Sequence, residues 1–444
     1  MKKQKWYRSI LVLGIAVVGV VLPAYAQTTD ERLDLLDQQI KILQHKLEIN
    51  HETTEDKRNS FPTLDSGNDG FVLNSADDNL QVRFQGYVQT DFRFFYDDQK
   101  VPLTDTFLIR RARPIFSATL YKYFDLYINP DFGLGTIVLK DSYLDVHPTQ
   151  AFRIRVGKFK EPVGLEKLQA DVNNKFIEVA LPSDLVPNRD VGAQLYGDLF
   201  HGILSYQVGV FNGVVDGGST DTDNNDSKDF VERIFTIPFK NSSSDWVNGL
   251  GIGIAASEGN ELTALPTFNT GGQNTFFAYL STVTANGSHT RISPQLYYYK
   301  GSFGLISEYV ASTQDIQKGK VLSTVSQTSW QTAVSYLITG EKSSYNGVYP
   351  VSPFDFKKNQ WGAFELAARY SELDIDSDSF DRGLADLNVS ARRAQEYVVG
   401  LNWYLNRSVK YAINYGHTYF SGGAKGGLDR EDEQLIFTRF QLAF

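Results

Sequence analysis

The feature that most constrains this chain is a change at Leu80 from helical spacing to a strict period of two. Over residues 80–94 the even positions Leu80, Val82, Phe84, Val88, Phe92 and Phe94 are apolar, while the odd positions Gln81, Arg83, Gln85, Gln89, Asp91 and Arg93 are polar. Residues 124–132 repeat the pattern, with Phe124, Leu126, Ile128 and Phe132 set against Asp125, Tyr127, Asn129 and Asp131. Successive side chains of a strand point to opposite faces, so each run makes a strand with one oily and one wet face. Strands of soluble sandwiches are usually about five or six residues long. Runs of this length, repeated along the chain, suit an oblique crossing of a bilayer.

Short turns near residues 122–124, 198–202, 300–303 and 406–408 alternate with longer polar segments at 97–105, 164–190, 214–227, 258–288, 315–328, 374–394 and 421–431. Turns on one side and loops on the other are the asymmetry of outer-membrane barrels. The spacing predicts an all-β fold, a transmembrane antiparallel barrel of about sixteen strands over residues 80–444, wide enough for a water-filled lumen. The chain ends Phe440-Gln441-Leu442-Ala443-Phe444, which resembles the closing strand that barrel-insertion machinery recognises.

The N-terminal part is different. Lys2, Lys3, Lys5 and Arg8 precede an apolar run from Ile10 to Leu22 and then Ala24-Tyr25-Ala26, the layout of a secretory signal over residues 1–26. In residues 27–58, Leu33, Leu36, Ile40, Leu43 and Leu47 recur at spacings of three and four, the seam of a short periplasmic coiled coil. Residues 59–79 read as a linker. The seam predicts association with copies of itself.

The whole chain stands at −9, and removing the four basic residues of the leader takes it to −13. Such a balance opposes nucleic-acid binding, which needs a basic field. There is no cysteine, so burial and backbone pairing must hold an exported chain together. Nothing in the sequence points to a cofactor or a metal site. His45, His51, His147, His201, His289 and His417 are scattered, Ser288 and His289 point to opposite faces of a strand, and no nucleophile elbow or His-Glu-x-x-His occurs. An enzyme is not expected.

Carrying the phase of the first strand forward places Arg83, Arg93, Arg111, Arg113, Arg153 and Arg155 on the lumen wall, as an anion pathway. Arg110 falls out of phase and is expected at the outer interface. Lumen acids such as Asp91, Asp125, Asp141 and Asp145 offer a second reading, in which the arginines are braced by ion pairs. The apolar-rich segment 164–190 is expected to fold inward, with Lys158, Lys160, Lys167 and Lys175 at a constriction. Lys158 and Lys160 are out of phase with Arg153 and Arg155, so either Gly157 hosts a bulge or both lie beyond the membrane band.

Gln85-Gly86-Tyr87, Arg110-Arg111-Ala112-Arg113, Leu139-Lys140-Asp141-Ser142-Tyr143, Gly157-Lys158-Phe159-Lys160-Glu161-Pro162, Pro294-Gln295-Leu296-Tyr297-Tyr298-Tyr299, Leu337-Ile338-Thr339-Gly340-Glu341 and Glu365-Leu366-Ala367-Ala368-Arg369-Tyr370 follow in order. With these motifs the mature chain resembles the phosphate-selective porins, the porin O and P group. The resemblance implies a homotrimeric sixteen-stranded barrel in the Gram-negative outer membrane, a third loop folded inward, an arginine ladder and a central lysine cluster passing phosphate or related small anions. Residues 229–239 depart from it, offering Arg233 beside Glu232 where phosphate channels carry more arginine. A general or sugar-type porin, with Tyr297 and Tyr299 on one face as a slide, and an outer-membrane tether acting through the coiled coil are the alternatives.

The leader is directly testable: the exported protein should begin at Gln27 by N-terminal sequencing or intact mass, and retention of residues 1–26 would refute the cleavage site.

Overall fold

The computed structural model describes residues 29–58, 61–67, 70–96, 102–223 and 225–444, so the expected leader, residues 1–26, lies outside the described residues. Two units are present. In the first, α1 (Thr29–Arg58) is one continuous helix. Its seam residues Leu36 and Leu47 are 54% and 68% exposed, leaving the apolar stripe unpartnered in the single chain.

The second unit begins where a linker was expected, with a hairpin of β1 (Thr63–Gly67) and β2 (Gly70–Asn74). β2 pairs with the start of β3 (Leu80–Tyr96), from Phe71 opposite Phe84 to Asn74 opposite Gln81. Phe71 and Phe84 both pack on the terminal ring of Phe444, which explains why this polar stretch is held to the sheet.

Next come β4 (Thr106–Leu120), β5 (Phe124–Asp131), β6 (Val138–Thr149), β7 (Phe152–Phe159), β8 (Asp190–Leu199), β9 (Leu204–Phe211), β10 (Asp229–Thr236) and β11 (Leu250–Thr263). A small hairpin of β12 (Thr267–Asn269) and β13 (Thr275–Ala278) interrupts them. β14 (Val283–Lys300), β15 (Phe303–Lys318), β16 (Val321–Leu337), β17 (Ala363–Asp374), β18 (Ala391–Tyr404), β19 (Val409–Ala424), the short β20 (Leu428–Asp429) and β21 (Glu433–Ala443) complete the order. β21 pairs antiparallel with β3, from Gln434 opposite Tyr96 to Ala443 opposite Tyr87, and the sheet closes as a barrel of sixteen strands. Closure satisfies the strand hydrogen bonds that hydrocarbon cannot.

The period of two survives intact. Outward positions such as Val88, Phe94, Ile154, Val156, Ile234 and Ile413 are exposed, while inward positions Gln89, Asp91 and Arg93 are buried. Aromatic contacts gather at the turn-side ends of the strands, for example Phe364 with Trp403, and again farther along them, for example Tyr370 with Tyr397, as interfacial belts do.

Other features depart from the sequence expectation or settle an alternative it left open. Residues 315–328 are not a loop: β15 and β16 continue through them to a tight turn at Gly319, with Thr, Ser and Val keeping the ladder paired from Asp315 opposite Thr324 to Lys318 opposite Val321. On the turn side, residues 238–249 and 338–362 are long; the second contains Gly340, Gly347, Pro350 and Pro353, which resist strand pairing. Gly157 hosts no bulge, since Tyr143–Gly157 and Leu144–Val156 pair in regular register.

The loop between β7 and β8, residues 160–189, folds into the barrel. Its one-turn helix α2 (Leu165–Leu168) offers the amides of Leu165 and Glu166 to Glu308 at 2.5 and 3.2 Å. Farther on, Lys175 pairs with Glu365 at 2.5 Å and the Ile177 amide donates to Asn414. Glu178 receives Arg110 at 2.7 Å, Arg93 at 3.2 Å and Arg439 at 3.4 Å. Arg110 therefore points inward, contrary to expectation. The β3–β4 register shifts between Gln89 and Thr90, leaving Arg110 as the extra residue, so both Arg110 and Arg111 reach the interior. The β12–β13 hairpin also folds in, and Leu181, Leu185, Phe268, Phe276 and Phe277 form an apolar core with Val310, Leu373 and Phe420. This core narrows the loop-side part of the interior.

Burial opposes ionisation of Glu178, but Arg110, Arg111 and Arg439 outweigh it and hold its carboxyl well below the usual range. A depressed carboxyl contributes stability above its unfolded pKa of about 4.3 and loses it as pH falls through the lower folded value. The anchor should therefore persist at pH 5. Glu178→Gln should leave buried guanidiniums short of counter-charge, at about 3–5 kcal/mol. It should release the inward loop, read as larger and noisier single-channel currents at neutral pH. Unaltered current steps would disprove the anchor.

Candidate functional site: the lumen cavity

A cavity of 700 Å³ lies between the inward loop and the wall formed by β4 to β10, extending to the turn side at residues 406–408 and 443–444. Four of these strands, β5, β7, β9 and β10, have only eight residues each, so this is the short wall of the barrel. The inward loop leans on the opposite wall, through Glu308, Glu365, Asn414 and Arg439, and so leaves space along the short one. Gln169, Ala170, Asp171, Val172 and Asn173 form its face toward the cavity.

Seven basic side chains line the space: Arg113, Arg155, Lys160, Arg189, Arg233, Arg407 and Lys410. The acidic side chains are Asp141 and Asp171 alone. Both acids are neutralised in place. Asp141 accepts from Arg189 at 2.9 Å and from Asn129 at 2.8 Å. Asp171 faces Arg113 at 2.5 Å and Arg111 at 3.4 Å.

The basic groups divide into two sets. Arg113 also pairs with Asp131 at 2.7 Å, and Arg155 pairs with Asp145 at 2.6 Å while lying 3.9 Å over the Tyr143 ring. These, with Arg189, brace the wall. Among the described residues no carboxylate lies within 4 Å of Lys160, Arg233, Arg407 or Lys410. Lys160 donates to the carbonyls of Lys167 and Gln169, and Lys410 to that of Asn174. Arg233 donates to the side-chain carbonyls of Gln295 and Gln207 at 2.9 and 3.3 Å. Arg407 lies 4.7 Å over the Tyr349 ring.

Of the residues singled out from the sequence, Arg113, Arg155 and Lys160 line this cavity. Arg93 and Arg111 face inward but lie behind the loop, on Glu178 and on Asp171 with Gln89. Arg83 sits exposed at the turn-side end of β3, bonded to Gln81. Arg153 stands 4.0 Å from Asp198 near that same end. Lys158 lies in phase with the outward Ile154 and Val156 and pairs with Asp221 at 2.5 Å, away from the lining. Lys167 reaches the Ser183 carbonyl, and Lys175 is held on Glu365 and Ser343.

Arg189, Arg407 and Lys410 escaped the sequence reading. Strand phase would have found Lys410, which precedes the inward Ala412 and Asn414 by two and four positions. Arg189 and Arg407 lie in connections, where no period speaks. The tyrosines Tyr87, Tyr127, Tyr143, Tyr345, Tyr349 and Tyr404 complete much of the surface, Tyr127 and Tyr143 stacking at 4.9 Å.

His289 is no catalytic base. It is buried between Glu261 at 2.7 Å and Ser312 at 2.7 Å, beside Arg291, whose guanidinium meets Asp216 at 2.5 Å, Glu261 at 2.9 Å and Asp229 at 3.3 Å. This network ties the loop after β9 to the wall.

Comparison with known proteins agrees with the architecture. Porin O of Pseudomonas aeruginosa is 22% identical over 415 residues, covering 84% of this chain and 91% of that protein. Among solved structures, OmpT of Vibrio cholerae (TM-score 0.53, 12% identity) shares the fold over 83% of this chain and 98% of its own. The anion-selective porin from Comamonas acidovorans (TM-score 0.54, 12% identity) does so over 82% of this chain and 100% of its own. The family described as phosphate-selective porin O and P matches residues 82–444, and with its sixteen closed strands the chain belongs to that family, a porin of the Gram-negative outer membrane and not an enzyme.

Proposed function

We propose that this porin gives passive diffusion to small anionic solutes, phosphate and related oxyanions among them, with the lining cations free of carboxylates setting the preference. The observation that carries this reading is that carboxylates meet three of the seven lining cations, Arg113, Arg155 and Arg189, and leave Lys160, Arg233, Arg407 and Lys410 without one. A surplus of fixed positive charge in a low-dielectric channel raises local anion concentration, and separated cations give weak successive sites rather than a trap. Arg111 and Arg113 act indirectly, by neutralising Asp171, and Lys160 contributes at the narrowed section. Arg83, Arg93, Arg153, Arg155, Lys158, Lys167 and Lys175 serve mainly to hold wall and loop. A solved relative described as anion-selective supports the same direction.

The working unit in this reading is a homotrimer in outer-membrane lipid. The exposed leucine stripe of α1 supports it, since such a seam buries itself against copies. A solved relative, OmpT of Vibrio cholerae, is described in trimer form.

In planar bilayers under a potassium chloride gradient, the reversal potential should report chloride preference. Arg407→Ala with Lys410→Ala should lower the chloride-to-potassium permeability ratio by about two- to fivefold. Arg111→Ala with Arg113→Ala should also lower it, by uncovering Asp171. A cation-selective wild type, or a reversal potential that neither pair moves, would refute the reading.

A further inference from the structure

The lining pairs its cations with flat rings rather than with more cations, and this bears on which anions fit. Arg233 is the clearest case. Its guanidinium is met by two neutral amides, Gln295 at 2.9 Å and Gln207 at 3.3 Å, so its charge is uncompensated by any carboxylate within 4 Å among the described residues. The Phe235 ring lies 4.7 Å from it. Phe235 packs on Tyr297 at 5.0 Å, and Tyr297 stacks on Tyr345 at 5.6 Å. Arg233, Gln207 and Tyr345 all line the cavity, as do the stacked Tyr127 and Tyr143.

Small, strongly hydrated oxyanions such as phosphate gain from clustered point charges and bidentate forks, and gain nothing from aromatic faces. A planar organic anion gains from both, because rings stack offset or edge-on while the anionic end meets a guanidinium. An inorganic-phosphate site built here would also need several unpaired cations together, whereas Arg113, Arg155 and Arg189, the other wall arginines, are held by Asp131 and Asp171, by Asp145 and by Asp141.

Resting on the anion-diffusion reading and narrowing it, we propose that the cavity contains a subsite for aryl carboxylates and similar flat organic anions. The anionic group meets Arg233 with Gln207, and the ring contacts Tyr345 of the lining. The subsite binds weakly and in passing, as conduction requires.

The test is block of single-channel chloride current by sodium benzoate, sodium acetate and sodium phosphate on the full-length protein. Benzoate should interrupt the current at a lower concentration than acetate or phosphate. Arg233→Gln should raise the half-blocking benzoate concentration about tenfold, as expected for loss of a charge-assisted contact. Because that variant alters a partly buried polar group, folding is checked by heat-modifiable gel migration. Tyr345→Leu gives a second route: it should weaken benzoate block about threefold and leave acetate block unaltered. Equal block by benzoate and acetate, stronger block by phosphate, or insensitivity of benzoate block to both substitutions would overturn the subsite. An anion-selective wild type with equal block sinks this inference alone, whereas a wild type lacking anion preference sinks the reading beneath it.

Discussion

Everything in this molecule follows from the need to pair every backbone amide and carbonyl where no water reaches. The pairing of β21 with β3 removes the last edge, and only then does the period of two acquire meaning. Once the sheet is a cylinder, one face of each strand must be apolar and the other is free to carry charge. A soluble protein of this size would spend its inward positions on a hydrocarbon core. Here many are filled by Gln89, Asp91, Arg113, Glu308, Arg369, Asn402 and Arg439.

Those inward charges do two jobs, divided by what they meet. Glu178, Asp171 and Glu166 lie on the inward loop, and each faces guanidinium groups of the wall. Such pairs are costly to bury and more costly to break, so they fix the loop in one place. The loop takes the long wall and leaves the short wall lined by Arg155, Arg189 and Arg233 with tyrosines between. On the anion-diffusion reading we propose, selectivity depends on which cations the loop leaves without a carboxylate, rather than on how many arginines the strands carry.

That division explains what could be read from the chain. Strand phase was legible because lipid imposes it, and it placed Arg93, Arg111, Arg113 and Arg155 on the inner face as found. Pairing was not legible: Asp171 reaches Arg113 across 58 positions, and Glu178 reaches Arg439 across 261. The inward fold of residues 160–189 showed in Leu165, Phe176, Ile177 and Leu181, apolar residues that no solvated loop would need. The β12–β13 hairpin carries the same signal in Phe268, Phe276 and Phe277, within a stretch that otherwise reads as polar. Arg110 was misassigned because a single extra residue in β4 resets the phase, and nothing in Arg-Arg-Ala-Arg announces the bulge. The turn-side segment 338–362 shows through its prolines and glycines that it is no strand, yet not that Tyr345 will bond the Leu165 carbonyl and line the cavity.

The absence of cysteine makes the central claim, a closed barrel whose short wall faces a positively charged aqueous lumen, open to a background-free measurement. A single cysteine at Gln207, which lines the cavity beside Arg233, can be offered anionic and cationic methanethiosulfonates of similar size in reconstituted channels. The account predicts that both reagents reach it and that the anionic one reacts faster, with the difference shrinking at high salt as surface-like screening requires. Faster reaction of the cationic reagent, or no reaction with either, would contradict it.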